Sequence, residues 1–172
     1  YNAKGTINYA LNSFNTALDD YNRAIAIDDD CGVFYYNRGN VHSQLEDFTS
    51  ADNDYIQARS SSGLNSSDLE KLSLNQSYSK FKNKDYEDGL SLADVYVSSS
   101  SADDDKKADA YYNMGRAEYI LAENGSDLTV SNNYRNLARA LKPEFDYKIY
   151  GDAQSDFILN LESNMNTVFQ FH

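Results

Sequence analysis

The chain has 172 residues, 41% of them hydrophobic, with one proline, no tryptophan, fifteen tyrosines and a formal net charge of −12. That length suits one ordinary domain, and the acidity argues against nucleic acid or anionic lipid as partners, because both need a cationic face, while it admits a basic protein or peptide. No apolar run approaches the ~18 residues a membrane helix needs, which argues against membrane insertion, and the single cysteine, Cys31, excludes an internal disulfide or a cysteine metal cluster.

A repeat opens the chain. Tyr1, Gly5, Leu11, Phe14, Ala17, Tyr21 and Ala24 recur as Tyr35, Gly39, Leu45, Phe48, Ala51, Tyr55 and Ala58, all at one offset of 34 residues. A fixed period of this size marks a repeat architecture, and 34 suits a helix–turn–helix unit. Tyr1, Gly5 and the apolar positions before Leu11 predict one short amphipathic helix, and Phe14, Ala17, Tyr21 and Ala24 step by three or four residues along a second. Each helix then has one stripe to bury, and Gly5, Gly39, Ala17 and Ala51 are small enough to let a neighbouring helix approach while an aromatic fills the space beside it. The pattern begins abruptly at Tyr1 with no initiator Met, which reads as a processed or truncated chain.

After Arg59, Ser60-Ser61-Ser62-Gly63 is a break, and Ser67-x-x-Glu70 predicts a capping box for the next helix. The third unit is looser: Leu74, Tyr78 and Phe81 carry its first helix, and Tyr86, Gly89 and Ala93 stand where Phe48, Ala51 and Tyr55 stood, now at an offset of 38. Ser98–Ser101 and Asp103-Asp104-Asp105 form a polar connector whose acidic residues suit a helix start. Ala110-Tyr111-Tyr112-Asn113-Met114-Gly115-Arg116 then repeats Phe34-Tyr35-Tyr36-Asn37-Arg38-Gly39-Asn40 nearly residue for residue. Asn124-Gly125-Ser126-Asp127 interrupts the fourth unit before Val130, Tyr134, Leu137 and Ala138 resume it, and Pro143 marks its end. The units span 1–31, 32–64, 67–99 and 105–143. A final helix over 152–170 is expected from the apolar stripe Phe157, Ile158, Leu161, Met165, Val168 and Phe169, either closing the end of the stack or offering a docking surface.

With an aromatic, a small residue, then Ala, aromatic, Ala along the second helix, the first two units resemble the tetratricopeptide repeat family. They depart from it at Asp29, where the family carries Pro. The resemblance implies an all-α solenoid, here a single domain of four hairpins plus a terminal helix. It also implies a concave groove, lined by the first helices of successive units, that holds a peptide or partner protein. The face opposite the packed stripe places Asn2, Thr6 and Tyr9 there from the first unit. Tyr36, Asn40, Ser43 and Gln44 follow from the second, Leu74, Tyr78 and Phe81 from the third, and Tyr112, Arg116 and Tyr119 from the fourth. Amides bond both groups of a peptide unit, and Tyr offers area with a polar tip, so this lining suits polypeptide. The family's carboxylate-clamping subclass is not carried over, because Thr6 stands where an Asn is expected.

Catalysis finds no support. His42 and His172 have no nucleophile or carboxylate at a recognisable spacing, the glycines occur singly, and the Asp runs lack the alternating ligands of a calcium loop. No cofactor or metal is expected. Three competing readings remain open: Asn37, Asn75 and Asn113, with Tyr36 and Tyr112, can serve packing alone; open-ended hairpin stacks can self-associate head-to-tail into a structural or filament-forming protein; and tyrosine platforms can bind carbohydrate. The richness in Ser, Asn, Asp and Tyr leans towards an extracytoplasmic or cell-surface setting and leaves the cytoplasm open.

Overall fold

A computed structural model describes residues 1–122, 128–144 and 156–159. The fold is all-α, as the periodicity requires. Eight helices form among the described residues: α1 (Asn2–Ala10), α2 (Phe14–Ile27), α3 (Gly32–Gln44), α4 (Phe48–Ser60), α5 (Ser66–Lys82), α6 (Tyr86–Val97), α7 (Asp104–Leu121) and α8 (Thr129–Leu141). The chain divides into two compact units, one built on Tyr1–Leu72 and the other on Ser73–Leu161.

The hairpin turns share one construction. Asn12, Glu46 and Lys84 adopt left-handed backbone at φ 56°, 60° and 67°. The N–H of the following residue reaches back to close a six-residue ring, from Ser13 to the carbonyl of Asn8, Asp47 to His42 and Asp85 to Lys80, at 2.8 to 2.9 Å. These are Schellman caps, which satisfy carbonyls at the helix end and reverse the chain at a fixed angle. Each does so with a side chain in a conformation that costs about 1 kcal/mol for non-glycine residues.

In the first unit, α1 packs on α2, α2 on α3 and α3 on α4. Small meets large as the pattern predicts: Gly5 lies over the ring of Tyr21, and Gly39 over that of Tyr55. Tyr36, Tyr55, Ala51, Ala58 and Leu72 form one core cluster, and Ala17, Tyr21 and Val41 another. The 34-residue period also carries charge, a signal the apolar skeleton concealed. Lys4 pairs with buried Asp20 at 3.3 Å, and Arg38, at the equivalent place, grips buried Asp54 through two nitrogens at 2.6 and 2.8 Å. A buried carboxylate needs such partners, since an isolated one is expensive to desolvate.

The loops after α2 and α4 are tied together: the N–H of Gly32 bonds the carbonyl of Ser62, and the N–H of Ser62 bonds that of Asp30, both at 2.8 Å. Helix α5 starts on a reciprocal box between Asn65 and Asp68, each side chain accepting from the other's backbone N–H at 3.0 and 3.2 Å. That corrects the expected Ser67–Glu70 box; Asn65 supplies the same chemistry two residues earlier. Asp103 caps α7 by accepting from the N–H of Lys106, in line with the acidic connector. Asp28, by contrast, bonds the N–H of Asp30 within its own turn, and Cys31 occupies the helix boundary.

The second unit gathers Leu74, Phe81, Ala93, Tyr96, Val97, Ala110, Met114 and Ala117 into one core. Here the small and large partners exchange helices, with Gly89 on α6 lying against the ring of Phe81 on α5. Helix α8 closes on α7 through Ala108, Tyr112 and Ala138 and ends two residues before Pro143. Residues 156–159, expected inside the terminal helix, are not helical. The other residues of that expected helix lie outside the described residues.

Candidate functional site

In the first unit, the expected groove residues bond one another and the helices behind them. Tyr36, Asn40 and Ser43 are buried, and Asn2, Thr6, Tyr9 and Gln44 are half-buried. The hydroxyl of Tyr55 donates to Asn40 Oδ1 at 2.8 Å and lies 3.2 Å from that of Ser43. Thr6 meets the Tyr21 hydroxyl at 3.2 Å, Gln44 donates to that of Tyr9 at 3.3 Å, and Asn37 Nδ2 donates to Asn2 Oδ1 at 3.1 Å. Burial pushes the Tyr21 phenol up to about 12 despite its bond with Thr6, and burial also raises Tyr55. These are neutral hydroxyls committed to structure. The amides of Asn37 and Gln44 therefore join α3 to α1 and that of Asn40 joins it to α4, the packing role that Asn37 was open to.

In the second unit the equivalent amide does something else. Asn113 on α7 donates through Nδ2 to the carbonyl of Ile158 at 2.8 Å and accepts from the N–H of the same residue at 2.7 Å. One side-chain amide can meet both groups of a single residue only where the backbone is extended, because in a helix N–H and C=O point opposite ways along the axis. The chain's own segment Asp156-Phe157-Ile158-Leu159 thus lies along a face made by α5, α6 and α7.

Its side chains are also seated. Phe157 stacks on Phe81 with centroids 5.1 Å apart and planes 8° from parallel, and lies 6.3 Å from Tyr86. The Arg116 guanidinium sits 5.2 Å from the Phe157 centroid. Ile158 packs against the cluster of Ala108, Tyr112 and Ala138, as does half-buried Tyr119. A pocket adjoins it, walled by Leu74, Tyr78, Lys106, Asp109, Ala110 and Asn113. The Asp156 carboxylate is 3.1 Å from Lys82 Nζ.

Of the predicted lining, Tyr78, Phe81 and Tyr112 are buried, Phe81 beneath the ring of Phe157 and Tyr112 in the cluster against which Ile158 packs. Arg116 and Tyr119 remain half-buried at the edge. Lys82, Tyr86 and Asn113 were missing from the prediction. Asn113 did carry a signal, its recurrence at the place of Asn37, but recurrence alone cannot tell a helix-joining amide from one that holds another segment. His42 lies 3.7 Å from Asp47 and 3.8 Å from Asp54, yet burial comes first and holds its pKa below the ordinary histidine range, assisted by nearby Arg38. It is placed as a structural histidine.

Partial burial opposes ionisation of Asp156, but the N–H of Phe157, Lys82 and Arg116 together hold its carboxyl below the ordinary range. Because the seated form has the lower pKa, seating is favoured fully above the ordinary carboxylate pKa and weakens as pH falls through the depressed one. The Ile158 amide resonance should accordingly keep its position from neutral pH to about 5 and move towards its unseated position below about 4, while Asp156→Asn flattens that titration. A pH-independent Ile158 resonance in the unaltered chain would contradict the pairing.

Among the described residues no helix is long and apolar enough to cross a membrane, and no group of three or more His, Cys, Asp and Glu side chains is placed to hold a metal ion. Residues 33–60, the hairpin of α3 and α4, match the tetratricopeptide repeat family model. No curated protein matches the chain by sequence.

Proposed function

Since the α3–α4 hairpin matches the tetratricopeptide repeat family, we propose that the chain is a non-catalytic protein-interaction module whose second unit holds extended polypeptide along α5 and α7. The observation that carries this reading is the two-way bond of Asn113 to the backbone of Ile158. An amide that donates to the carbonyl and accepts from the N–H of one residue recognises extended backbone as such, whatever side chain that residue bears. Stacking on Phe81 adds area, and the mixed lining around Ile158 supplies a sequence preference. A carbohydrate platform is less well supported, because Tyr21, Tyr36, Tyr55, Tyr96 and Tyr112 are among the largest fully buried side chains.

Panning a displayed library of random peptides against the full chain carrying Phe157→Ala, with and without Asn113→Ala, tests the reading. Peptides enriched on the first and lost on the second are expected. No enrichment on either, with the helical circular dichroism of both chains intact, would remove the groove as the binding surface.

A further inference from the structure

We infer that the face formed by Lys82, Phe81, Tyr86, Arg116 and Asn113 selects segments in which an acidic residue is followed by an aromatic and then a branched aliphatic residue. We further infer that a partner peptide of this kind binds by displacing the chain's own Asp156–Leu159. The inference rests on the groove reading above and adds to it the identity of the ligand and the presence of a built-in competitor.

Three neighbouring contacts define the preference. Lys82 Nζ, 3.1 Å from Asp156, sets a cationic position at one end. Next to it Phe81 offers a flat ring, Tyr86 flanks the site, and Arg116 covers the seated ring at 5.2 Å. Only a planar side chain uses a stacking partner and a guanidinium together. The third position is fixed through its backbone by Asn113, and its side chain points to an apolar cluster of Ala108, Tyr112 and Ala138. A phenylalanine preceded by lysine, or an alanine at the centre, loses one of these contacts.

Displacement follows from how little holds the segment. Asp156 is exposed and Phe157, Ile158 and Leu159 are only half-buried, so the seated stretch has the small contact of a reversible latch. Its advantage is tethering, which acts as a high local concentration and not as a better fit. Ile158 forms one wall of a small pocket shared with Leu74, Tyr78, Lys106 and Asp109, and a partner takes over that wall when it displaces the segment.

A fluorescein-labelled peptide with the sequence of residues 155–160, SDFILN, tests the inference by anisotropy against the full chain. It should bind the Phe157→Ala chain at least about 10-fold more tightly than the unaltered chain, because the tethered competitor is weakened. Asp156→Lys, a change at an exposed position that leaves the core untouched, should act in the same direction. The peptide with alanine in place of phenylalanine should bind the Phe157→Ala chain at least about 10-fold more weakly, which is the discrimination lost with one stacked ring. A Lys82→Glu, Phe157→Ala chain should prefer the peptide that begins Ser-Lys-Phe. Equal affinity for unaltered, Phe157→Ala and Asp156→Lys chains would overturn the built-in competitor. Equal affinity for the phenylalanine and alanine peptides would overturn the selectivity. If library peptides enriched through Asn113 bind while SDFILN does not, the groove reading stands and this inference falls.

Discussion

Tyr55→Ala should destabilise the first unit by about 3–5 kcal/mol, the range for removing a large buried aromatic. The ring is fully buried, packs edge-on against Tyr36 at 6.2 Å between centroids, and lies beneath Gly39. Its cluster neighbours Tyr36, Ala51, Ala58 and Leu72 are themselves fully buried, which leaves little slack for the site to collapse. Tyr55→Phe separates the ring from its hydroxyl. It removes the 2.8 Å bond to Asn40 Oδ1 and the 3.2 Å contact with the Ser43 hydroxyl. The expected loss is about 1 kcal/mol, the net worth of a buried hydrogen bond. Urea denaturation followed by far-ultraviolet circular dichroism measures both. A Tyr55→Phe chain as stable as the original would mean that the hydroxyl network adds nothing beyond the packing of the ring.

Gly32→Ala is expected to cost about 3 kcal/mol, at the upper end of overpacking. A Cβ at Gly32 would stand 2.6 Å from the carbonyl oxygen of Ala58 and 3.0 Å from that of Ser62. Both are backbone, so α3 and α4 would have to separate, and the 2.8 Å bond from Gly32 N–H to Ser62 would be lost with them. The helix-propensity gain of alanine over glycine, about 1 kcal/mol in a helix interior, is smaller and acts weakly at a first helical residue. Gly63→Ala provides the internal contrast. Nothing lies within 4 Å of its Cβ position, and only its φ of +90° penalises a side chain, for about 1–2 kcal/mol. If Gly63→Ala proved the more damaging of the two, the close approach of α3 to α4 would not be the reason for glycine at position 32.

The helical hairpins were legible because their cause is local and periodic. Gly5 over Tyr21 and Gly39 over Tyr55 appear as the small and large residues that the 34-residue skeleton pairs. The turns at Asn12 and Glu46 were harder to read, since a left-handed residue that is not glycine leaves no compositional mark. The ion pairs of Lys4 with Asp20 and Arg38 with Asp54 obey the same offset. Net charge and apolar periodicity do not reveal them, because half of each pair is a buried carboxylate. In the third hairpin the apolar pattern survives, but Gly89 meets Phe81 with the two helices exchanged, a choice between equivalent interdigitations that depends on three-dimensional fit.

By itself, then, the order of residues determined the repeated helix–turn–helix units, because 3.6-residue periodicity and the spacing of small and aromatic side chains act within a few turns of one another. Tertiary structure alone decided the fate of Phe157 and Ile158. Their stripe has a helix's period, yet Asn113, 45 residues away from Ile158 in sequence, meets both backbone groups of that residue, and Phe81 stacks on its neighbour. Contacts of that range outweigh local propensity, which is worth tenths of a kcal/mol per residue. The same long-range geometry makes Asn37 a link between helices and Asn113 a holder of extended chain, two roles for one residue at one place in the repeat.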